Sequence, residues 1–261
     1  AGAGLVGSAT YENMSGGGGG VAIGHLIENA DSLHGTLMVN STPIVIRSLT
    51  GVFPYNFSDL TMVAGTIGDF GAMVSHSSSD IKSMDDLVAA YSADATSIAV
   101  GGGSVPGGMD HLVAAMVLNA AGADATQVAY LPYDAGGEAM AALLSGEIEA
   151  LSTGFGEAKG MAEQGEVNIL CVTSNDGETA YPSCPAYFVN WRGFFASPSV
   201  PAETVEAYQA ALVAMYETPE WAEVRDRMGW VEILNVGDDF EAFLVEQEQV
   251  IGDLMRSLGF L

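Results

Sequence analysis

The sequence predicts an α/β fold with mainly parallel sheets. Apolar runs of strand length alternate with segments of helical periodicity along the 261 residues. Several strands end in glycine-rich loops that lead directly into helices, as in sheets whose parallel strands are joined by helices. Hydrophobic residues make up 49% of the chain and charged residues 15%. This composition supports a well-packed core, and the length suits two domains of ordinary size.

A strand, a glycine-rich loop and a helix follow one another at residues 98–121. The loop, residues 101–108, contains five glycines, and the helix begins near residue 109. The same unit recurs at residues 128–144. A helix N-terminus presents free backbone N–H groups and favours an anion. Because neighbouring parallel strands end at the same edge of a sheet, both loops are expected to lie together there and form half of a binding cleft.

Other strand ends carry hydroxyl groups. Five consecutive glycines at residues 16–20 precede a helical segment, and the predicted strands at residues 35–40 and 148–152 end in Ser or Thr. Hydroxyls are neutral hydrogen-bonding groups suited to an anion site. The candidates are Ser15, Ser41, Thr42, Ser104, Ser152 and Thr153. Arginine is scarce, so a clamp of several arginines is not expected.

Enzyme chemistry receives weaker support. Ser104 resembles a nucleophile, but Pro106 replaces the last glycine of the Gly-x-Ser-x-Gly elbow. Asp134 suits either an acid–base group or the N-cap of the following helix, and the cap is favoured. No Gly-Lys-Ser/Thr loop for a nucleotide is present, and the four histidines lack metal-ligand spacing. No metal or cofactor is therefore expected.

The charge balance is strongly acidic. The chain has 33 Asp and Glu residues against 7 Lys and Arg, a formal net charge of −26. Such a surface repels nucleic acid and anionic membranes, so neither is an expected partner. The carboxylates are scattered, which predicts adaptation to high salt, where screening relieves their repulsion. No stretch is long enough to insert into a membrane, and residues 1–9 show no signal peptide, so the chain is either cytosolic or a mature or trimmed segment.

The sequence has two cysteines and does not decide whether they form a disulfide. Cys171 and Cys184 are too few for a zinc site. A disulfide between them would close a small loop, as in exported proteins. Cys171, however, lies in the apolar run of residues 167–172, which predicts a buried strand.

Several motifs resemble the solute-binding proteins of tripartite tricarboxylate transporters, and their order and spacing cover nearly the whole chain. They are YENMSGGGG at 11–19, GGGS at 101–104 with GG at 107–108 and HL at 111–112, YLPYDAGG at 130–137 with LLSGE at 143–147, NWRGFFASP at 190–198 and LMRSLGFL at 254–261.

The resemblance implies a periplasmic binding protein fold of type II, with two α/β lobes that close on a ligand by a hinge. The first lobe is expected at residues 1–80 with 187–261, and the second at 81–186. The resemblance also implies an exported protein that is not an enzyme. Proteins of this kind deliver organic di- or tricarboxylates to membrane permease subunits. The alternative is an α/β enzyme whose glycine loops bind a phosphorylated substrate.

The resemblance also implies the ligand contacts, made by backbone N–H groups, hydroxyls and water. They are Ser15, Gly16, Gly17, Ser41 and Thr42 in the first lobe, with Ser104, Gly107, Gly108, Asp134, Ser152 and Thr153 in the second. The family normally opens with a strand and a glycine-rich loop ending near an aspartate. This sequence begins after that point, so its first lobe is expected to lack that part of the site.

Overall fold

A computed structural model describes residues 4–14, 16–52 and 54–261. The chain forms two compact units. Unit 1 comprises Ala1–Gly68 and Trp191–Gly252, and unit 2 comprises Asp69–Asn190 and Asp253–Leu261. These bounds differ from the predicted lobes at both crossings and in the last nine residues. The last nine belong to unit 2 because Leu254 and Leu258 pack against its core.

Strands and helices alternate along most of the described ranges, as the sequence predicts. The strands are β1 Met38–Ser41, β2 Thr61–His76, β3 Ala99–Gly102, β4 Ala129–Pro132, β5 Ala150–Gly154, β6 Val167–Val172, β7 Val189–Ala196 and β8 Val231–Val236. The helices are α1 Gly20–Glu28, α2 Pro43–Thr50, α3 Met84–Ala93, α4 Met109–Ala120, α5 Gly136–Ser145, α6 Phe155–Glu163, α7 Ala202–Tyr216, α8 Pro219–Met228 and α9 Asp238–Ser257. Within the described ranges, none of these helices combines the length and apolar character needed to cross a membrane.

Strand β2 covers apolar residues that glycines interrupt at several positions. It runs without a break for 16 residues. Glycines divide its apolar pattern because neighbouring side chains occupy the space of a Cβ. The Phe240 ring lies 3.0 Å from where a Cβ would stand on Gly65, and Val113 lies 2.9 Å from one on Gly71. The boundary between the units falls within this strand, after Gly68.

The sheet of unit 2 has the order β6-β2-β5-β3-β4. Strand β3 pairs in parallel with β4 and β5, whereas β2 is antiparallel to β5 and to β6. Four strands therefore run in one direction and β2 runs against them. This agrees with the mainly parallel mixed α/β sheet that the sequence predicts, because helices α4, α5 and α6 connect β3 to β6 in succession.

An aromatic cluster forms part of the core of unit 1. Strand β1 pairs antiparallel with β7, and β8 pairs antiparallel with β2. Trp191 and Phe195 of β7 are fully buried, and their rings lie 6.0 and 5.4 Å from that of Phe240. A Cβ on Gly193 would overlap the Phe240 ring. Strand β7 is thereby fixed over α9, which carries Phe240.

A disulfide joins Cys171 and Cys184, whose Cα atoms are 4.8 Å apart. Both residues are buried, Cys171 in β6 as expected from its apolar surroundings. The chain returns to β6 through a short backbone ladder, in which Cys184 N–H donates to Val172 O at 2.7 Å. The disulfide left open by the sequence is therefore formed.

Candidate functional site

The two glycine loops of unit 2 are in contact, which confirms the prediction that they lie together at one sheet edge. Strands β3 and β4 pair in register from Ala99 with Ala129. Tyr133 N–H donates to Gly102 O at 2.9 Å. A Cβ on Gly103 would stand 2.7 Å from the carbonyl carbon of Ala135. Only glycine allows this approach of one loop backbone to the other.

Ser104 is held in the loop by three hydrogen bonds. Its Oγ accepts from Asp110 N–H at 3.0 Å and lies 3.1 Å from the Tyr130 hydroxyl. The Tyr130 hydroxyl donates to Ser104 O at 2.7 Å, and burial raises the pKa of Tyr130 to about 12. These contacts assign Ser104 an architectural role at the start of α4 and give no support to a nucleophile.

The first N–H groups before α4 are used within the loop. Gly107, whose φ is +76°, donates its N–H to His111 Nδ1 at 3.0 Å. Gly108 N–H donates to Val105 O at 2.8 Å. The N–H groups of both glycines therefore stabilise the turn, whereas the sequence predicts that they bind an anion.

His111 connects this loop to the end of the chain. Its ring stacks on Tyr130 with centroids 4.5 Å apart, and the Phe260 ring lies perpendicular to it with centroids 4.9 Å apart. Burial lowers the pKa of His111, which favours the neutral ring whose Nδ1 accepts from Gly107. Sequence reasoning missed Phe260 as a neighbour of the site, since no local pattern links it to residue 111.

The interpretation of Asp134 as an N-cap is wrong. Helix α5 begins at Gly136, and its N-cap is Ala135, whose side chain accepts no hydrogen bond. Asp134 lies one residue too early to cap the helix, and its side chain is exposed. Its backbone N–H donates to Glu138 Oε2 at 3.3 Å.

The carboxylate side chains of two residues, Glu157 and Asp69, lie at helix N-termini in unit 2. Thr153 Oγ1 donates to Glu157 Oε2 at 2.5 Å, and that oxygen would overlap a Cβ on Gly136, the first residue of α5. Asp69 is buried, and its Oδ1 accepts from Gly156 N–H at 3.1 Å near the start of α6. Sequence reasoning missed both acids; for Glu157 the signal was its position in a helical first turn.

Ser152 is buried beside Thr153 on β5. Its Oγ has no hydrogen-bond partner among the described residues. Ser152 and Thr153 lie near the carboxyl end of β5, which pairs in parallel with β3, so the structure brings them to the same sheet edge as the glycine loops. This edge therefore presents hydroxyls, backbone groups and carboxylates.

In unit 1 the glycine loop lies beside the end of β1. Gly16 and Gly17 have φ values of +130° and +57°, which favour glycine. A Cβ on Gly19 would lie 3.7 Å from Asn40 Nδ2, and Ser41 N–H donates to Asn40 Oδ1 at 2.8 Å. Among the other predicted contacts, Thr42 is buried before α2, whereas Ser15 lies outside the described residues.

A cavity of about 750 Å³ opens within unit 1 beside this loop. Its lining includes Glu12, Gly19, His25, Asn40, Ser41 and Arg192. Arg192 lies on β7 directly opposite Ser41 in the strand register. Arg192 is not among the ligand contacts predicted from the sequence. The only indication in the sequence was that the chain has few cationic residues.

The chain was compared with known proteins. A sequence model of the tripartite tricarboxylate transporter family receptor matches residues 5–260. No curated protein matches the chain. A TctC solute-binding protein from Polaromonas, solved without ligand, is 21% identical, with a TM-score of 0.67 over 93% of this chain and 84% of that one.

Two proteins of Rhodopseudomonas palustris share the fold at 16% identity, each over 95% of this chain and 85% of its own. The first was solved with adipate and has a TM-score of 0.85; the second, MatC, was solved with malate and has a TM-score of 0.76. At these identities the likeness establishes a shared fold. Because the family match spans nearly all residues, the chain belongs to the tripartite tricarboxylate transporter receptor family, whose members are solute-binding proteins rather than enzymes.

Proposed function

We propose that this protein captures an organic di- or tricarboxylate outside the cytoplasm and delivers it to the permease subunits of a tripartite tricarboxylate transporter. The family match over residues 5–260 carries this proposal. The adipate and malate in two structural relatives support the carboxylate class. The proposed ligand contacts remain Ser15, Gly16, Gly17, Ser41, Thr42, Ser104, Gly107, Gly108, Asp134, Ser152 and Thr153.

The proposed location is supported by the disulfide. Cys171 and Cys184 are bonded within the core of unit 2. Disulfides persist in oxidising compartments such as the periplasm and are rare in the cytosol. The proposed function involves neither a nucleic acid partner nor direct insertion of this protein into a membrane.

A carboxylate is expected to stabilise the protein without being consumed. Malate, adipate and citrate are screened by thermal unfolding, with a sugar phosphate and a nucleotide as controls. A ligand present at about 100 times its Kd contributes about 2.7 kcal/mol and raises Tm by roughly 5–10 °C. NMR of the mixture then shows the acid unchanged. Stabilisation by the sugar phosphate alone, or turnover of the acid, would instead support the α/β enzyme.

We further propose that the acidic composition is an adaptation to high salt. With 33 acidic and 7 basic residues, repulsion between carboxylates is expected to destabilise the fold in dilute buffer. Raising KCl to 1 M shortens the screening length to about 3 Å and should raise the urea midpoint by about 1 M. Most of the gain should occur below 0.5 M KCl, where screening dominates. A midpoint independent of KCl would contradict the adaptation.

A further inference from the structure

We propose that Glu157 accepts a hydrogen bond from a hydroxyl or ammonium group of the ligand, so that the protein selects carboxylic acids that carry such a donor. This inference rests on the proposed function and deepens it by naming the ligand group and the residue that accepts from it. It concerns only the sheet edge of unit 2.

Glu157 lies beside the contact between the two glycine loops. It belongs to the first turn of α6, directly after β5, and its side chain is exposed. Its Oε2 would overlap a Cβ on Gly136, and a Cβ on Gly103 would in turn overlap the backbone nitrogen of Gly136. The carboxylate therefore borders both loops at the edge where the ligand contacts of unit 2 are proposed.

The neighbouring hydroxyl makes this part of the edge a hydrogen-bond acceptor. Thr153 is buried, and its Oγ1 donates to Glu157 Oε2 at 2.5 Å. A hydroxyl has one proton, so this bond leaves Thr153 only lone pairs to offer to a ligand. Within the described residues, Oε1 of Glu157 accepts no hydrogen bond. A donor of the ligand is therefore attracted to Glu157, whereas a carboxylate is repelled.

Three other predicted contacts of unit 2 already use their protons within the protein. The Tyr130 hydroxyl donates to Ser104 O, which leaves the Ser104 hydroxyl to donate to Tyr130 Oη at 3.1 Å. Gly107 and Gly108 give their N–H groups to acceptors in their own turn and in α4. These contacts have no proton left for a ligand, whereas Glu157 keeps an oxygen that can accept a hydrogen bond.

A charged acceptor distinguishes acids of nearly equal size. Malate and aspartate carry a hydroxyl and an ammonium group at the carbon where succinate has only hydrogen, and citrate differs from tricarballylate by its hydroxyl. The acids without the donor leave Glu157 unpaired next to their own negative charge. Since hydrogen bonds to charged groups are stronger than neutral ones, the difference in affinity is expected to be about tenfold or more.

The experiment compares these acids by isothermal calorimetry. Malate and aspartate are measured against succinate, and citrate against tricarballylate, in wild type, Glu157→Gln and Glu163→Gln. Glu163 is exposed at the other end of α6, so its replacement makes the same charge change on the same helix and serves as the matched control. Thermal unfolding of each variant confirms that it is folded. Tighter binding of malate than of aspartate identifies the hydroxyl as the preferred donor, and the reverse identifies the ammonium group.

Wild type and Glu163→Gln should bind at least one acid with a donor about tenfold or more tighter than its counterpart. Glu157→Gln should reduce this ratio to about threefold or less, partly by strengthening the counterpart, because the new amide can donate to a carboxylate. Wild-type binding that is equal for both members of every pair, or that is confined to adipate, would overturn the inference and leave the proposed function standing. An unchanged ratio in Glu157→Gln, or an equal reduction in Glu163→Gln, would do the same. Absence of any carboxylate binding by wild type would overturn both.

Discussion

Replacing Gly103 with alanine is expected to destabilise the protein by about 3 kcal/mol, because the new methyl group would enter the backbone of the neighbouring loop. It would stand 2.7 Å from the carbonyl carbon of Ala135 and 2.9 Å from Cα of Gly136. A flexible side chain would move aside, but here the obstacle is main chain anchored at the start of α5. The two loops must separate, or β3 must shift against β4.

The matched control for Gly103→Ala is Gly137→Ala. Gly137 lies on the first turn of α5, and a Cβ there has no atom within 4 Å. Alanine should be neutral or stabilise the helix by up to about 1 kcal/mol at that position. Urea unfolding followed by circular dichroism measures both variants. Equal stability of the two would show that the loops are not held by this contact.

Loss of the disulfide is expected to destabilise the protein by about 3 kcal/mol. Cys171 and Cys184 are separated by 13 positions, and closing a loop of that length removes conformational entropy from the unfolded chain. Residues 173–184 also lose the cross-link that holds them against β6. Thermal unfolding with and without a reducing agent measures the effect in a protein whose side chains are unchanged.

The double variant Cys171→Ala with Cys184→Ala separates the bond from the packing. Both sulfurs are buried, so removing them adds a cavity cost to the loss of the cross-link. The double variant should therefore be somewhat less stable than the reduced wild type, and the reducing agent should not affect it. A wild-type Tm that is insensitive to complete reduction would contradict the prediction.

The sequence alone was sufficient to predict that the two glycine loops of unit 2 lie together at one sheet edge. Strand–loop–helix order and the geometry of parallel sheets bring successive strand ends to one edge, and the contact at Gly103 follows from them. The same reasoning misjudged Asp134, because a shift of one residue in the start of α5 moves its side chain out of capping position.

Contacts between residues far apart in the chain could not be predicted from local sequence patterns. The N–H of Gly107 is taken up by His111, whose ring is held between Tyr130 and Phe260. Glu157 reaches Gly136 from a different helix. These partners are chosen by how the elements pack, and periodicity carries no information about which side chain arrives from elsewhere.

By itself the sequence determined the α/β fold, the glycine loops, the acidic balance and the resemblance to a family of solute-binding proteins. Those features depend on composition and on spacing along the chain. The tertiary structure alone decided that Cys171 bonds Cys184, that residues 253–261 complete unit 2 and that Arg192 lines the cavity beside Ser41. Each of these joins residues far enough apart in sequence that only packing of the folded chain brings them together.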